Sequence, residues 1–153
     1  MSKPRYRWWG FAIRMIRDYP GLKDKMDDLH TQAITANMSG MPRGGGDGRT
    51  VETIALRTLP QDDKKAYDAV TRAIELTMLH ETGEERIAMI QYLYWNRRSR
   101  GKYKIKDAAI KLHISVPTAK RWHGDFVRMV GKCYGFSLKD DTPEPKICDK
   151  IVP

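Results

Sequence analysis

The sequence predicts an all-α protein in which N-terminal helices are joined by a Gly-rich linker to a C-terminal helical bundle containing a helix-turn-helix. Three observations carry that expectation. Apolar residues recur three and four positions apart through most of the chain. No stretch sustains the period-two alternation of a half-buried strand. A single Gly/Pro-rich run interrupts the helical pattern. With 153 residues, of which 41% are hydrophobic, the chain can bury a modest core, enough for one domain or two small helical lobes.

The first helical stretch runs from Tyr6 to about Ala36, with Trp8, Trp9, Ala12, Ile13, Met15, Ile16 and Tyr19 on one face and Leu22, Met26 and Leu29 continuing it. Pro20 lacks a backbone N–H, so a bend or break is expected between Asp18 and Pro20, with Pro20 opening a second helix. The adjacent tryptophans are expected in the core or in a helix-helix seam. Residues Asn37 to Thr50, "NMSGMPRGGGDGRT", hold five glycines and a proline and form the linker. A phosphate-binding loop is not expected there, because the Lys-Ser/Thr that must follow the last glycine is missing.

Beyond the linker, "VETIALRTL" predicts a short helix ending at Pro60, and "QDDKKAYDAVTRAIELTMLH" a longer one. In the latter, Asp62 and Asp63 suit the first turn, and Tyr67, Val70, Ala73, Ile74 and Met78 trace the apolar stripe. Thr82 and Glu85 have the spacing of a capping box. The helix they open carries Ile87, Ile90, Leu93 and Tyr94 and stops within "NRRSRGK", where Gly101 can end it. The expected organisation is therefore an N-terminal helical segment (1–36), a linker (37–50), a second helical domain (51–138) and a polar, Pro-containing tail (139–153) without fixed structure.

The placement of charge points to a partner. From Arg97 to Lys132 there are eleven Lys and Arg residues against Asp107 and Asp125, a net +9 that equals the formal charge of the whole chain. Everything else balances. Clustered cations are favoured against phosphates because binding releases condensed counterions, so this segment is expected to form a polyanion-binding surface.

The stretch Ile105 to Gly124 fits the helix-turn-helix template within that segment. Ala109, with Ala108 beside it, supplies the small residue where two helices cross, and Leu112, Ile114, Ala119 and Trp122 are the expected buried contacts. Ser115 can cap the second helix through a backbone N–H near Thr118, and Pro117 falls in the first turn, where no donor is missed. The turn, usually glycine, carries His113, a residue type that enters the left-handed region more readily than most. The expected DNA-binding residues are Ser115, Val116, Pro117, Thr118, Lys120, Arg121 and His123 on the second helix, with Lys120 and Arg121 reading base edges. Arg97, Arg98, Arg100, Lys102 and Lys104, just before the unit, are expected to hold phosphates.

Other classes find little support. No run of ~18 apolar residues exists for a membrane span, and the N-terminal "MSKPRYRWWGFAIRM" is followed by no small-residue cleavage site. Cys133 and Cys148 form neither a disulfide framework nor a metal pair and suit a reducing cytoplasm. His113 and His123 lack companion ligands for a metal. No nucleophile with base and orienter is evident, so neither an enzyme nor a cofactor is expected.

The span from "ERIAMIQYLYW" through "KDAAIKLHISVPTAKRWHGDFVRMVGKCYG" resembles the C-terminal part of the RinA and ArpU groups of phage-encoded transcriptional regulators, which is similar to the DNA-binding fourth region of sigma factors. An aromatic N-terminal helix, a Pro/Gly-rich linker and a long middle helix extend the resemblance over most of residues 6 to 138. It implies regulation of phage or prophage genes by duplex binding, with promoter reading mapped onto Ser115 to His123. The N-terminal helices would then serve homodimerisation or contact with host RNA polymerase. A small terminase-type DNA-packaging protein and a helical interaction protein that binds no DNA are the alternatives.

Overall fold

The computed structural model of the chain describes residues 6–38, 59–96 and 104–137, and among these it is built of helices without a strand. We number the helices α1 (Trp9–Met38), α2 (Gln61–Met78), α3 (Gly83–Ile90), α4 (Ile105–Lys111) and α5 (Val116–Tyr134); a π-helical turn, Gln91–Trp95, continues α3. The expected linker from residue 39 onward, the short helix at 51–58, Gly101 and the tail from residue 138 lie outside the described residues. Asn37 and Met38, assigned above to the linker, belong to α1.

One core joins the early and late helices. Ala12, Ile16 and Leu22 of α1 are buried in the same cluster as Val70 and Ala73 of α2, Ile87 and Ile90 of α3, and Phe126, Val127 and Val130 of α5. Here the expected break at Pro20 is corrected, because α1 is a single helix with Pro20 inside it. Proline at position 20 removes the N–H that would bond the carbonyl of Ile16, four residues back. The Trp95 indole repairs the loss: its Nε1–H donates to Ile16 O at 2.6 Å. A carbonyl on a fully buried residue is thereby satisfied from another element.

α2 starts after Pro60 with Asp62 and Asp63 in its first turn, as the helix dipole favours. Its buried stripe contains Val70 and Ala73, with Tyr67 and Ile74 packed beside them. Met78, expected on that stripe, is instead 46% exposed, because the helix ends there and the chain turns away. Thr82 does sit at the N-cap of α3, but the expected capping-box hydrogen bond from its side chain is not made. Its Oγ1 accepts from Arg86 Nε at 3.1 Å instead. Gly83 is set by close approach, since a Cβ there would lie 2.5 Å from the carbonyl oxygen of Thr77.

At the other end, α5 closes on Gly135, which takes a left-handed φ of 106°, and Phe136 N–H returns to Gly131 O at 3.0 Å. That reversal lays Phe136 against Trp8, with ring centroids 5.4 Å apart, while Tyr6 stacks on Trp8 at 4.7 Å. Trp8 is buried, in keeping with a core role for the tryptophan pair, and its ring occupies the place where a side chain at Gly131 would stand. The fit leaves Trp8 Nε1 buried without an acceptor among the described residues.

Candidate nucleic-acid interface

α4 begins on a cap built from its own sequence. Lys104 N–H donates to Asp107 Oδ2 at 2.9 Å, and Asp107 lies in the first turn, where the dipole favours an anion. A seven-residue helix has little stability of its own, so its place is set by packing. Ala108 and Ala109 are fully or almost fully buried and let α4 approach α5 closely, with Ala119 and Trp122 buried on the α5 side. Leu112 and Ile114 pack against the edge of the same core.

The turn between them follows the sequence reading. His113 takes φ 55°, the one left-handed non-glycine residue among those described, and Ile114 N–H bonds Ala109 O at 3.0 Å. Ser115 then caps α5, accepting from Thr118 N–H at 3.3 Å, and its hydroxyl lies 2.7 Å from that of Thr118. Pro117 falls in the first turn of α5.

The structure divides the expected site residues into three groups. Ser115, Pro117, Lys120 and Arg121 are exposed on the N-terminal half of α5, and Val116 and Thr118 are half-buried beside them. Lys104 is exposed at the start of α4. Arg97, Arg98, Arg100 and Lys102 lie outside the described residues.

His123 is a correction. Expected on the exposed face, it is only 8% exposed, with Nε2 2.6 Å from the Tyr94 hydroxyl and its ring edge-on to Trp9. Position 123 is one helical turn from Ala119 and from Val127, both fully buried, so it shares their side of α5. Burial holds the His123 imidazole down at about 4 and the Tyr94 phenol up at about 12, the latter against the opposing pull of the Arg17 charge. At neutral pH both groups are uncharged. The pair is a packing device between α5 and the π-helical turn.

Four further cations, absent from the expected site residues, lie on or beside these helices, and three of them belong to the basic segment. Arg86, eleven residues before the basic segment begins, holds its guanidinium 5.3 Å from the centre of the Trp122 ring. Arg128 and Lys132 follow Arg121 by seven and eleven residues, close to two and three whole turns, and so lie on its face of the helix. Arg128 Nη1 donates to Asp125 Oδ1 at 2.7 Å. Lys111 Nζ sits 4.5 Å from the Tyr92 ring centre and ties α4 to the π-helical turn. Spacing alone could have found Arg128 and Lys132; nothing local to Arg86 signals Trp122.

Among the described residues no group of three or more His, Cys, Asp or Glu is arranged to hold a metal ion, and no helix is long and apolar enough to cross a membrane. No family model matches the chain, and neither a curated protein nor a solved structure matches it.

Proposed function

We propose that the chain is a sequence-specific double-stranded DNA-binding transcription regulator of phage or prophage genes, of the RinA/ArpU type its sequence resembles. On this reading α4, the turn and α5 form the helix-turn-helix. The observation that carries the reading is the capped, exposed N-terminal half of α5, which presents Pro117, Lys120 and Arg121 while Ala108, Ala109, Ala119 and Trp122 fix the helix from behind. A rigid helix with its cations on the outer face can enter a major groove, where Arg or Lys pairs with guanine O6 and N7. Lys104 and the preceding basic residues would meet phosphates and set orientation. The action is promoter occupancy or recruitment of polymerase, with no chemical step.

The test is selection of bound duplexes from a randomised library at moderate salt, followed by sequencing. An enriched motif is expected, and a repeated half-site would give the symmetry of the bound species. Arg121→Ala should then lose more affinity for the enriched site than for random duplex, by about 1 to 3 kcal/mol for one bidentate pair. Retention without enrichment would favour DNA packaging, and no retention at all would leave the basic segment a solvated face.

A further inference from the structure

α5 is longer than the groove it would enter. Its nineteen residues span about 28 Å at the helical rise, whereas a major groove is about 12 Å wide. If the N-terminal half lies in the groove, the C-terminal half must pass over the wall, where phosphates run. Arg128 and Lys132 stand about 10 and 16 Å along the axis from Arg121, on the same face.

A cleft of about 420 Å³ opens beside this trailing half. Arg86, His80, Arg128 and Lys132 line it, Trp122 contributes to its apolar wall, and Asp125 is its one carboxylate. Arg86 is held from two sides, by Thr82 Oγ1 through Nε and by the Trp122 ring. The Arg128 side chain folds back over Gly124, 3.4 Å from where a Cβ would stand, and Asp125 fixes it there. Even with Asp125 counted, Arg86, Arg128 and Lys132 leave the cleft cationic. Glu81, Glu84 and Glu85 are exposed near Arg86 in sequence but do not line the cleft.

We infer that this cleft is a phosphate seat for the duplex backbone, in which Arg86, Arg128 and Lys132 hold the strand bordering the groove that the N-terminal half of α5 enters. The inference rests on the DNA-binding reading and adds to it a second contact region drawn from two helices. Pre-set guanidinium groups lose less side-chain freedom on meeting a phosphate than free ones do.

The experiment is a salt titration of the full chain on a labelled duplex of mixed sequence, from about 50 to 200 mM, comparing the protein with Arg86→Gln/Arg128→Gln/Lys132→Gln. Each lost phosphate contact lowers the slope of log affinity against log salt by about 0.9, so a fall of about 2 to 3 is expected. The loss should be equal on random and enriched duplexes, since phosphates carry no sequence. A protein that binds with the same slope in both forms overturns the seat and leaves the recognition helix standing; a protein that binds no duplex at the lowest salt overturns both. Lys132→Glu, on an exposed side chain, decides the matter if the triple variant unfolds. Weaker binding with a flatter slope supports the seat, and unchanged affinity refutes it.

Discussion

Acid should loosen this fold through one imidazole. His123 is buried against Tyr94 and Trp9 with its pKa held down at about 4, against an ordinary value of 6.5. Below 6.5 the unfolded chain takes up a proton that the folded chain refuses, so unfolded protein binds more protons and stability falls as pH falls. The contribution is intact above 6.5 and is lost progressively down to about 4. One unit is worth about 1.4 kcal/mol, so about 2 kcal/mol is lost by pH 5 and about 3 kcal/mol over the window. That is a large share of the stability of an ordinary small domain. Urea unfolding followed by tryptophan fluorescence, at about pH 7.5 and about pH 5, measures it. His123→Gln keeps an acceptor for the Tyr94 hydroxyl and removes the titration, so the variant should lose about 2 kcal/mol less than the protein between those pH values. All other titrating groups are shared by the two. An equal loss in both would refute the argument and place the acid sensitivity among the carboxylates.

Three further outcomes are expected from packing. Trp95→Phe should cost about 1 to 3 kcal/mol by orphaning the Ile16 carbonyl, and less in a Pro20→Ala background, where residue 20 regains an N–H for that same oxygen; a double-mutant cycle without coupling would dismiss the repair. Gly131→Ala should destabilise by about 1 to 3 kcal/mol through collision with the Trp8 ring, a cost that Trp8→Leu relieves, and an unchanged melting temperature in Gly131→Ala alone would contradict the close approach. His113→Gly should raise the melting temperature by removing left-handed strain of about 1 kcal/mol at φ 55°; a lower melting temperature would mean that the imidazole itself contributes to the turn.

What is legible in the sequence is mostly local. Ser115 caps α5 and His113 turns left-handed because both depend on neighbours within a few residues, and Ala109 and Trp122 are buried because the pattern of apolar spacing encodes which face is inward. What is not legible depends on partners far along the chain. The break expected at Pro20 is bridged by an indole 75 residues away, and the arginine on Trp122 comes from α3. Thr82 is at the cap position its spacing predicts, yet its hydroxyl is taken by Arg86. For His123 the expectation fails although a signal exists. It stands in a four-residue series with Ala119 and Val127, and a histidine in such a series reads as buried once an uncharged partner such as Tyr94 is granted.

The stacking of Tyr6 and Phe136 on the Trp8 ring brings the first and last described parts of the chain into contact. Such a topology lends itself to circular permutation: a short bridge could join the segments flanking Tyr6 and Ser137, and new ends could be cut in the Gly-rich stretch between α1 and α2. The permuted chain would make α1 the sequence successor of α5. Its order of synthesis would then place the aromatic stack within a short local loop, turning a pairing that now spans nearly the whole sequence into one between near neighbours.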